Sequence, residues 1–511
     1  MKSLKFYKIL SLLLVVAMIS GILLACGSEN QSNDVNVADK DDSAADTADD
    51  QAVVEDEQEV KILPDLPDVN YEGYTFTFLS HREDNAGWDW LESDPRELVA
   101  AVETGEPIND AVYKRNSLIQ EQYGVEFEMV TNTDEKSVLN KTVKAGDDVY
   151  DAVIIYNNNV PGTVTADLLT ETSKLTYIDR SKPWWDDGVN SMSVANKQYL
   201  LAGDLLILDN EATNAIIFNK DLMANYGMEL PYNLAKEGKW TMDKMIELTK
   251  GIEADVNGDG TLTWGDDRFS FMVFNDTLQA LLVAGGGVFA DKKEDDIPYM
   301  SFAEPKSLNI LEKAMDLMYK DTNLGVFNVQ SISNTDNTWN RIYYDTFMED
   351  RVLFMWIRMR VVEVFRGMES NFGILPMPKF EESQPEYRSL VNPYTGVLMG
   401  VPKTAGDLER TSVILEALSA ESTYTLQPAY YDIVLSRKFT RDEESADMLD
   451  IIFSTQVYDI GGVYSFGSVF SDFTTLAGKE DRNIASYYEK KIGSMEKAID
   501  KVVEKFNEMD N

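Results

Sequence analysis

Tyr74-Thr75-Phe76-Thr77-Phe78-Leu79, Val125-Glu126-Phe127-Glu128-Met129-Val130 and Asp151-Ala152-Val153-Ile154-Ile155-Tyr156 are the segments whose reading decides the fold. The first two alternate apolar and polar residues, as a half-buried strand does. The third is a short unbroken apolar run, which suits a strand covered on both faces. Between them, residues 110–123 set Val112, Leu118 and Ile119 among charges, and residues 136–145 form a second charged, helix-compatible stretch. Strand, helix, strand, helix, strand implies an open α/β lobe with a largely parallel sheet.

The order repeats further along the chain. Asn214–Lys220 reads as a strand and is followed by a helix carrying Leu222, Met223 and Tyr226. Thr241 is placed to cap a helix over 242–252, with Asp243 favourable in its first turn. Residues 306–320 are amphipathic through Leu308, Leu311, Met315 and Met318, and 351–356 and 372–375 read as strands. The last stretch, 484–509, places Tyr488, Ile492, Met495, Ile499, Val502 and Phe506 at helical spacing, a packing stripe. Hydrophobic residues at 44% and aromatics at 11% suit a folded body. The part beyond residue 68 is about 440 residues long, enough for two lobes.

The N-terminus has another character. Lys2, Lys5 and Lys8 precede an apolar run, 9–25, too short for a comfortable membrane span, so 1–25 reads as a signal peptide. It closes on Leu23-Leu24-Ala25-Cys26, which resembles the lipobox of bacterial lipoproteins, with Leu24 a less usual residue at the tolerant position. The resemblance implies diacylglycerol on the Cys26 thiol and a protein held at the outer face of the plasma membrane. An ordinary secretory signal is the other reading. Cys26 is the single cysteine, so no disulfide or cysteine-ligated metal is expected in the mature body. From Cys26 to residue 68 the chain is rich in Asp, Glu, Ala and Ser, and reads as a solvated tether reaching on the order of 35 Å.

The formal charge of −42, from 88 acids against 46 bases, argues against nucleic acid and anionic lipid as partners. The sole histidine, His81, begins His81-Arg82-Glu83-Asp84, which reads as a surface loop leaving the first strand. Histidine-rich zinc sites are therefore excluded. Two carboxylates suffice for glycoside hydrolysis, so an extracellular carbohydrate-active enzyme stays open as an alternative.

Asp255-Val256-Asn257-Gly258-Asp259-Gly260-Thr261-Leu262-Thr263-Trp264-Gly265-Asp266 has the spacing of a calcium loop. Asp255, Asn257 and Asp259 supply side-chain oxygens, Gly260 the sharp turn, Thr261 a carbonyl and Asp266 the closing carboxylate. Aspartate is shorter than the glutamate usual at that last place, so Asp267 would have to help. Structural calcium is the expectation, and a metal-free Asp/Asn/Gly turn is the other reading.

Ile217-Phe218-Asn219-Lys220-Asp221-Leu222-Met223, Lys239-Trp240-Thr241, Phe372-Gly373-Ile374-Leu375-Pro376-Met377-Pro378-Lys379 and Gly396-Val397-Leu398-Met399-Gly400-Val401-Pro402 follow the three strands in order. From about Tyr71 onward the chain thereby resembles the family 1 extracellular solute-binding proteins of ABC sugar importers, the group that includes the maltose-binding proteins. The resemblance implies a type II periplasmic-binding-protein-like fold of two α/β lobes joined by a hinge. The first lobe would comprise 69–208 and 386–438, the second 209–385 and 439–511. It also implies a monomeric receptor that holds a saccharide, an oligosaccharide by expectation, between the lobes and hands it to permease subunits in a Gram-positive type of envelope. A binding subunit of a sensory system is a further alternative.

The family's cleft positions fall on loops after strands. Carried over, they give Arg82, Glu83, Asp84, Trp88 and Trp90 after the first strand, and Asn157, Asn158 and Asn159 after the third. Glu211 and Asn214 stand at the entry to the second lobe, Trp356 and Arg358 at the end of a later strand, and Tyr394 before the returning strand. Aromatic faces suit the C–H face of a pyranose, while amides and charges fix its hydroxyls. Trp184, Trp185 and Trp240 are expected to be structural, and Trp264 to pack the cation loop.

Overall fold

The computed structural model describes residues 61–82, 95–319, 325–332, 338–435 and 443–509. Contacts divide the chain after Lys61, and Ile62–Asn511 forms one unit. Its strands begin with β1 (Tyr74–His81), β2 (Val125–Asn132) and β3 (Ala152–Tyr156). Then come β4 (Asn214–Asn219), β5 (Phe269–Val273), the short pair β6 (Ala290–Lys292) and β7 (Pro298–Met300), and β8 (Val326–Asn328). The last are β9 (Val352–Arg358), β10 (Phe372–Leu375), β11 (Ser389–Leu390), β12 (Val397–Gly400) and β13 (Gln456–Val457).

Two sheets carry the architecture. The first has the order β12-β3-β1-β2. β1 runs parallel to β2 with Tyr74 opposite Val125, and parallel to β3 with Phe78 opposite Ala152. β12 returns antiparallel to β3. The helices Pro107–Tyr123 and Glu135–Ala145 make the crossovers. Each stops at a glycine in the left-handed region, Gly124 (φ 61°) and Gly146 (φ 77°), where a side chain would be strained. Alternation along β1 sends Phe76 and Phe78 into one core layer with Trp184 and Ile119, and Leu79 into another.

The second sheet has the order β10-β4-β9-β5-β8. β4 is antiparallel to both neighbours, while β5, β8 and β9 are parallel. β4, β5 and β10 are buried along their whole length, and each fully buried aliphatic or phenyl side chain contributes about 1.5–3 kcal/mol. Two α/β sheets flanked by helices thus make a two-lobed fold. The chain passes from the first sheet to the second through the short helix Leu208–Ala212, and returns to β12 after β10. It crosses again between helix Leu426–Leu435, packed on Pro107–Tyr123, and helix Glu443–Ser454, packed on β10.

Several expectations change in detail. His81 is buried at the end of β1 instead of lying on a surface loop; its Nδ1 is 2.7 Å from Glu135 Oε2 and its ring stacks on Tyr156. Trp184 and Trp185 are structural, both indoles donating to Glu416 at 3.0 and 2.7 Å, and Trp240 donates to Pro376 O. The closing stripe packs as expected: Met495, Ile499 and Phe506 are buried on helix Ile484–Glu508. No helix among the described residues is long and apolar enough to cross a membrane.

The calcium expectation at Asp255, Asn257, Asp259, Thr261 and Asp266 is overturned. Among the described residues no three His, Cys, Asp or Glu side chains are placed to hold a metal. The loop's oxygens are turned onto its own backbone instead. Asp255 accepts from Gly258 N (2.6 Å) and Gly260 N (2.7 Å), Asn257 from Asp259 N (2.9 Å), and Asp259 from Thr261 N (2.7 Å). Asp267, next to the exposed Asp266, is the buried anchor, accepting from Val256 N and Thr263 N. Such Asx turns close the loop without an ion. Trp264 is 37% exposed, so it does not serve as the loop's packing centre.

Candidate functional site: the cleft between the sheets

The ends of β1, β3, β5 and β9 and the segment before β12 supply the residues that meet between the two sheets. On the first sheet, Asn157–Asn159 forms a 3-10 turn directly after β3. Asn157 is fully buried; its N–H donates to Gly396 O at 3.0 Å, while neither atom of its side-chain amide has a partner. Leaving such an amide unmet is costly unless a ligand or water completes it. Asn159 Nδ2 donates to Glu135 Oε1 (2.9 Å), so it braces the turn, and Asn158 is exposed. Arg82 is half-buried, with its N–H on Asn132 O.

On the second sheet, β5 ends in Phe274-Asn275-Asp276, and the helix Thr277–Ala284 starts there. Asn275 is fixed by Gln330 and Asn328, at 2.8 and 2.7 Å. Asp276 Oδ2 accepts from Asn392 Nδ2 at 3.5 Å. Burial raises the Tyr343 hydroxyl well above the ordinary tyrosine range, Asp276 adding to the rise and Arg358 opposing it. Burial raises Tyr394 likewise, again with Asp276 contributing. Asp276, Tyr394, Tyr343 and Arg358 therefore share one electrostatic neighbourhood.

Trp356 is 1% exposed within β9, edge-on to Phe274 at 6.0 Å. Arg358 lies 5.6 Å over its ring, and its indole N–H is buried without an acceptor. Tyr394 is half-buried, its ring against Phe470 at 4.9 Å and its N–H on Asn392 Oδ1. Asn214, opposite Arg358 in the β4–β9 register, donates to Leu390 O at 2.6 Å. The far wall is the helix Ile460–Tyr464, which packs on the Asn157–Asn159 turn. Asp459 caps it through Gly461 N and Gly462 N.

Trp356 and Arg358 thus lie together at the end of β9, and Asn157 meets Gly396, two residues beyond Tyr394. Glu211 sits apart in a hinge clamp, 2.8 Å from Arg96 and 3.8 Å from Arg360. Glu83, Asp84, Trp88 and Trp90 lie outside the described residues, as does Cys26. Sequence reasoning passed over Asn275, Asp276 and Asn392. The signal for the first two was present: Phe269–Val273 is an apolar run ending on an Asn-Asp turn before a helix, the same pattern that marked Asn157.

No protein-family model matches the chain, and no curated protein matches it. Solved structures do match. M. tuberculosis UspC superposes with a TM-score of 0.54 at 12% identity, covering 83% of this chain and 100% of that one. A sugar transporter from Rhizobium etli, in an open conformation, gives 0.53 at 13%, covering 85% and 99%. A cyclo/maltodextrin-binding protein complexed with maltotetraose gives 0.51 at 14%, covering 86% and 98%. The chain has the type II periplasmic-binding-protein fold. Likeness at these identities speaks to the fold, and function must be argued from the cleft.

Proposed function

We propose that this chain is the substrate-binding component of an ABC importer, capturing a carbohydrate, and more specifically an oligosaccharide, between its lobes. The observation that carries the reading is the cleft's chemistry on this fold: an unmet, buried amide at Asn157 close to Asn392, which in turn reaches Asp276. Amides, a carboxylate and tyrosine suit the many hydroxyls of a neutral sugar. The likeness to proteins described as a sugar transporter and a maltodextrin-binding protein supports the same class. In this reading the lobes comprise 69–208 with 386–438, and 209–385 with 439–511, and close about the hinge when ligand favours the closed state. Arg82 borders the first-lobe side, with Asn158 and Asn159 beside Asn157.

The receptor works by binding and performs no hydrolysis. A monomer tethered through lipidated Cys26 to the outer face of the membrane would stay within reach of its permease, and the acidic tether would hold it clear of the surface. Thermal unfolding against neutral mono- to hexasaccharides tests the proposal, because a ligand that binds only the folded state raises the melting temperature. A rise with at least one saccharide is expected, and an unchanged transition across the whole panel would sink it.

A further inference from the structure

Away from the cleft, a cavity of about 380 Å³ lies between the segments 183–188 and 203–210 and the neighbourhood of helices Leu426–Leu435 and Glu443–Ser454. Four aspartates line it, Asp186, Asp187, Asp204 and Asp209, and among the described residues no Lys, Arg or His does. Its amides satisfy one another: Asn210 donates to Gln427 at 3.1 Å and accepts from Gln456 at 3.0 Å. The carboxylates are less well provided. Asp186 Oδ1 accepts from Gly188 N at 2.7 Å, while Asp186 Oδ2 is buried and makes no close hydrogen bond, with the Tyr458 hydroxyl, already donated to Asp209, beside the carboxylate. Asp204 accepts from Thr423, and Asp209 from Tyr458 and Asn210 N. Trp185, Tyr431 and Phe453 form the aromatic part of the lining.

A lining with spare acceptors, no base among the described residues and aromatic faces calls for a donor-rich, positively charged guest. The volume is at the low end of small-molecule pockets. The carboxylates are also not gathered as metal ligands, so the guest must span them. We propose that this cavity is a second binding site, for a small organic cation bearing a protonated amine or guanidinium, held by Asp186 and Asp204 beside the aromatic wall. The site uses none of the cleft residues and stands or falls separately from the saccharide reading.

The surrounding charges say how binding should register. Burial raises Asp186 and Asp209, and lifts Asp204 to about 6. Glu416, behind Trp184 and Trp185, is lifted to about 7 by burial, and burial lowers Arg180, with Asp187 opposing the fall. Tyr458, beside Asp209, and Tyr431 are raised and stay neutral. A cation entering the cavity favours ionised Asp204 and Asp186, so its binding releases protons.

The test is titration calorimetry with agmatine and with putrescine near pH 6, at about 0.15 M salt to screen diffuse attraction, in two buffers of different ionisation enthalpy. One-site binding with buffer-dependent proton release is expected. Asp186→Asn with Asp204→Asn should weaken it at least tenfold, and Ser454→Arg, which places a tethered guanidinium at the lining, should abolish it. Both variants should keep the saccharide-induced melting shift. No heat up to about 10 mM of either cation, or equal binding by wild type and Ser454→Arg, would overturn the proposal; the latter variant decides if the double variant does not fold.

Discussion

Asn392 Nδ2 lies 3.5 Å from Asp276 Oδ2, joining the segment that leads into β12 of the first sheet to the turn that ends β5 of the second. This contact couples the two sheets, and the Asp276 charge reaches both Tyr394 and Tyr343 from there. A ligand seated there would feel both lobes at once, which is what a closure-sensing receptor requires.

Asp276→Ala removes the acceptor on one side of the cleft and leaves the Asn392 amide N–H group without this partner on the other. Saccharide affinity should fall at least tenfold, about 1.4 kcal/mol, with the ligand-free melting temperature nearly unchanged. Calorimetric titration of variant and wild type checks it. An unaltered affinity would remove Asp276 from the site.

Gly396→Ala probes the floor of the cleft. A methyl group there would meet Asn157 Nδ2 at 2.7 Å, Val391 Cγ1 at 3.0 Å and Asn392 O at 3.2 Å. Overpacking of this kind costs about 1–3 kcal/mol, and the displaced Asn157 amide should weaken saccharide binding as well. Denaturant unfolding and titration on the same preparation separate the two effects.

Stability should decline as pH rises from about 5 to about 8. Burial lifts Glu416 to about 7, Asp204 and Asp459 to about 6, and Glu97 to about 8. An acid whose folded pKa is raised binds its proton more tightly when folded. Its contribution is full below the unfolded pKa and is lost as pH climbs through the folded one. Melting temperatures across that range should fall, and Glu416→Gln should flatten part of the slope while costing about 1 kcal/mol at the acid end, because one carbonyl replaces two acceptor oxygens.

The hinge clamp gives a stability prediction with a control. Glu211 is 4% exposed between Arg96 and Arg360. Arg96→Met strands most of a buried charge and should destabilise by about 3 kcal/mol, whereas Arg96→Met with Glu211→Leu should recover much of the loss. Urea unfolding of the two variants decides. Equal losses in both would show that packing of the Arg96 side chain, and not charge, stabilises the hinge.

The first sheet was legible in the chain because β1, β2 and β3 are long, regularly patterned and separated by capped helices, so local pattern and tertiary burial agree. The second sheet was only half legible. β4, β9 and β10 carry plain apolar runs, but β8 has three residues and draws its strand character from its neighbour β5. The cation loop misled for a chemical reason: the Asp and Asn oxygens that ligate calcium are the same ones that accept backbone N–H groups in Asx turns, and spacing does not distinguish the two. At the cleft, Trp356 was recognisable as an aromatic at a strand end, but its burial beneath Arg358 and Phe274 depends on segments far apart in sequence. Asp276 has no meaning until Asn392 stands beside it.

The most direct measurement of the central claim is titration of the purified protein with the saccharide that most raises its melting temperature, followed by chromatography of the same mixture. Saturable one-to-one binding, weakened at least tenfold by Asn157→Ala, with the saccharide recovered intact, is the predicted result. Release of shorter sugars with turnover would contradict it and make the cleft an active site.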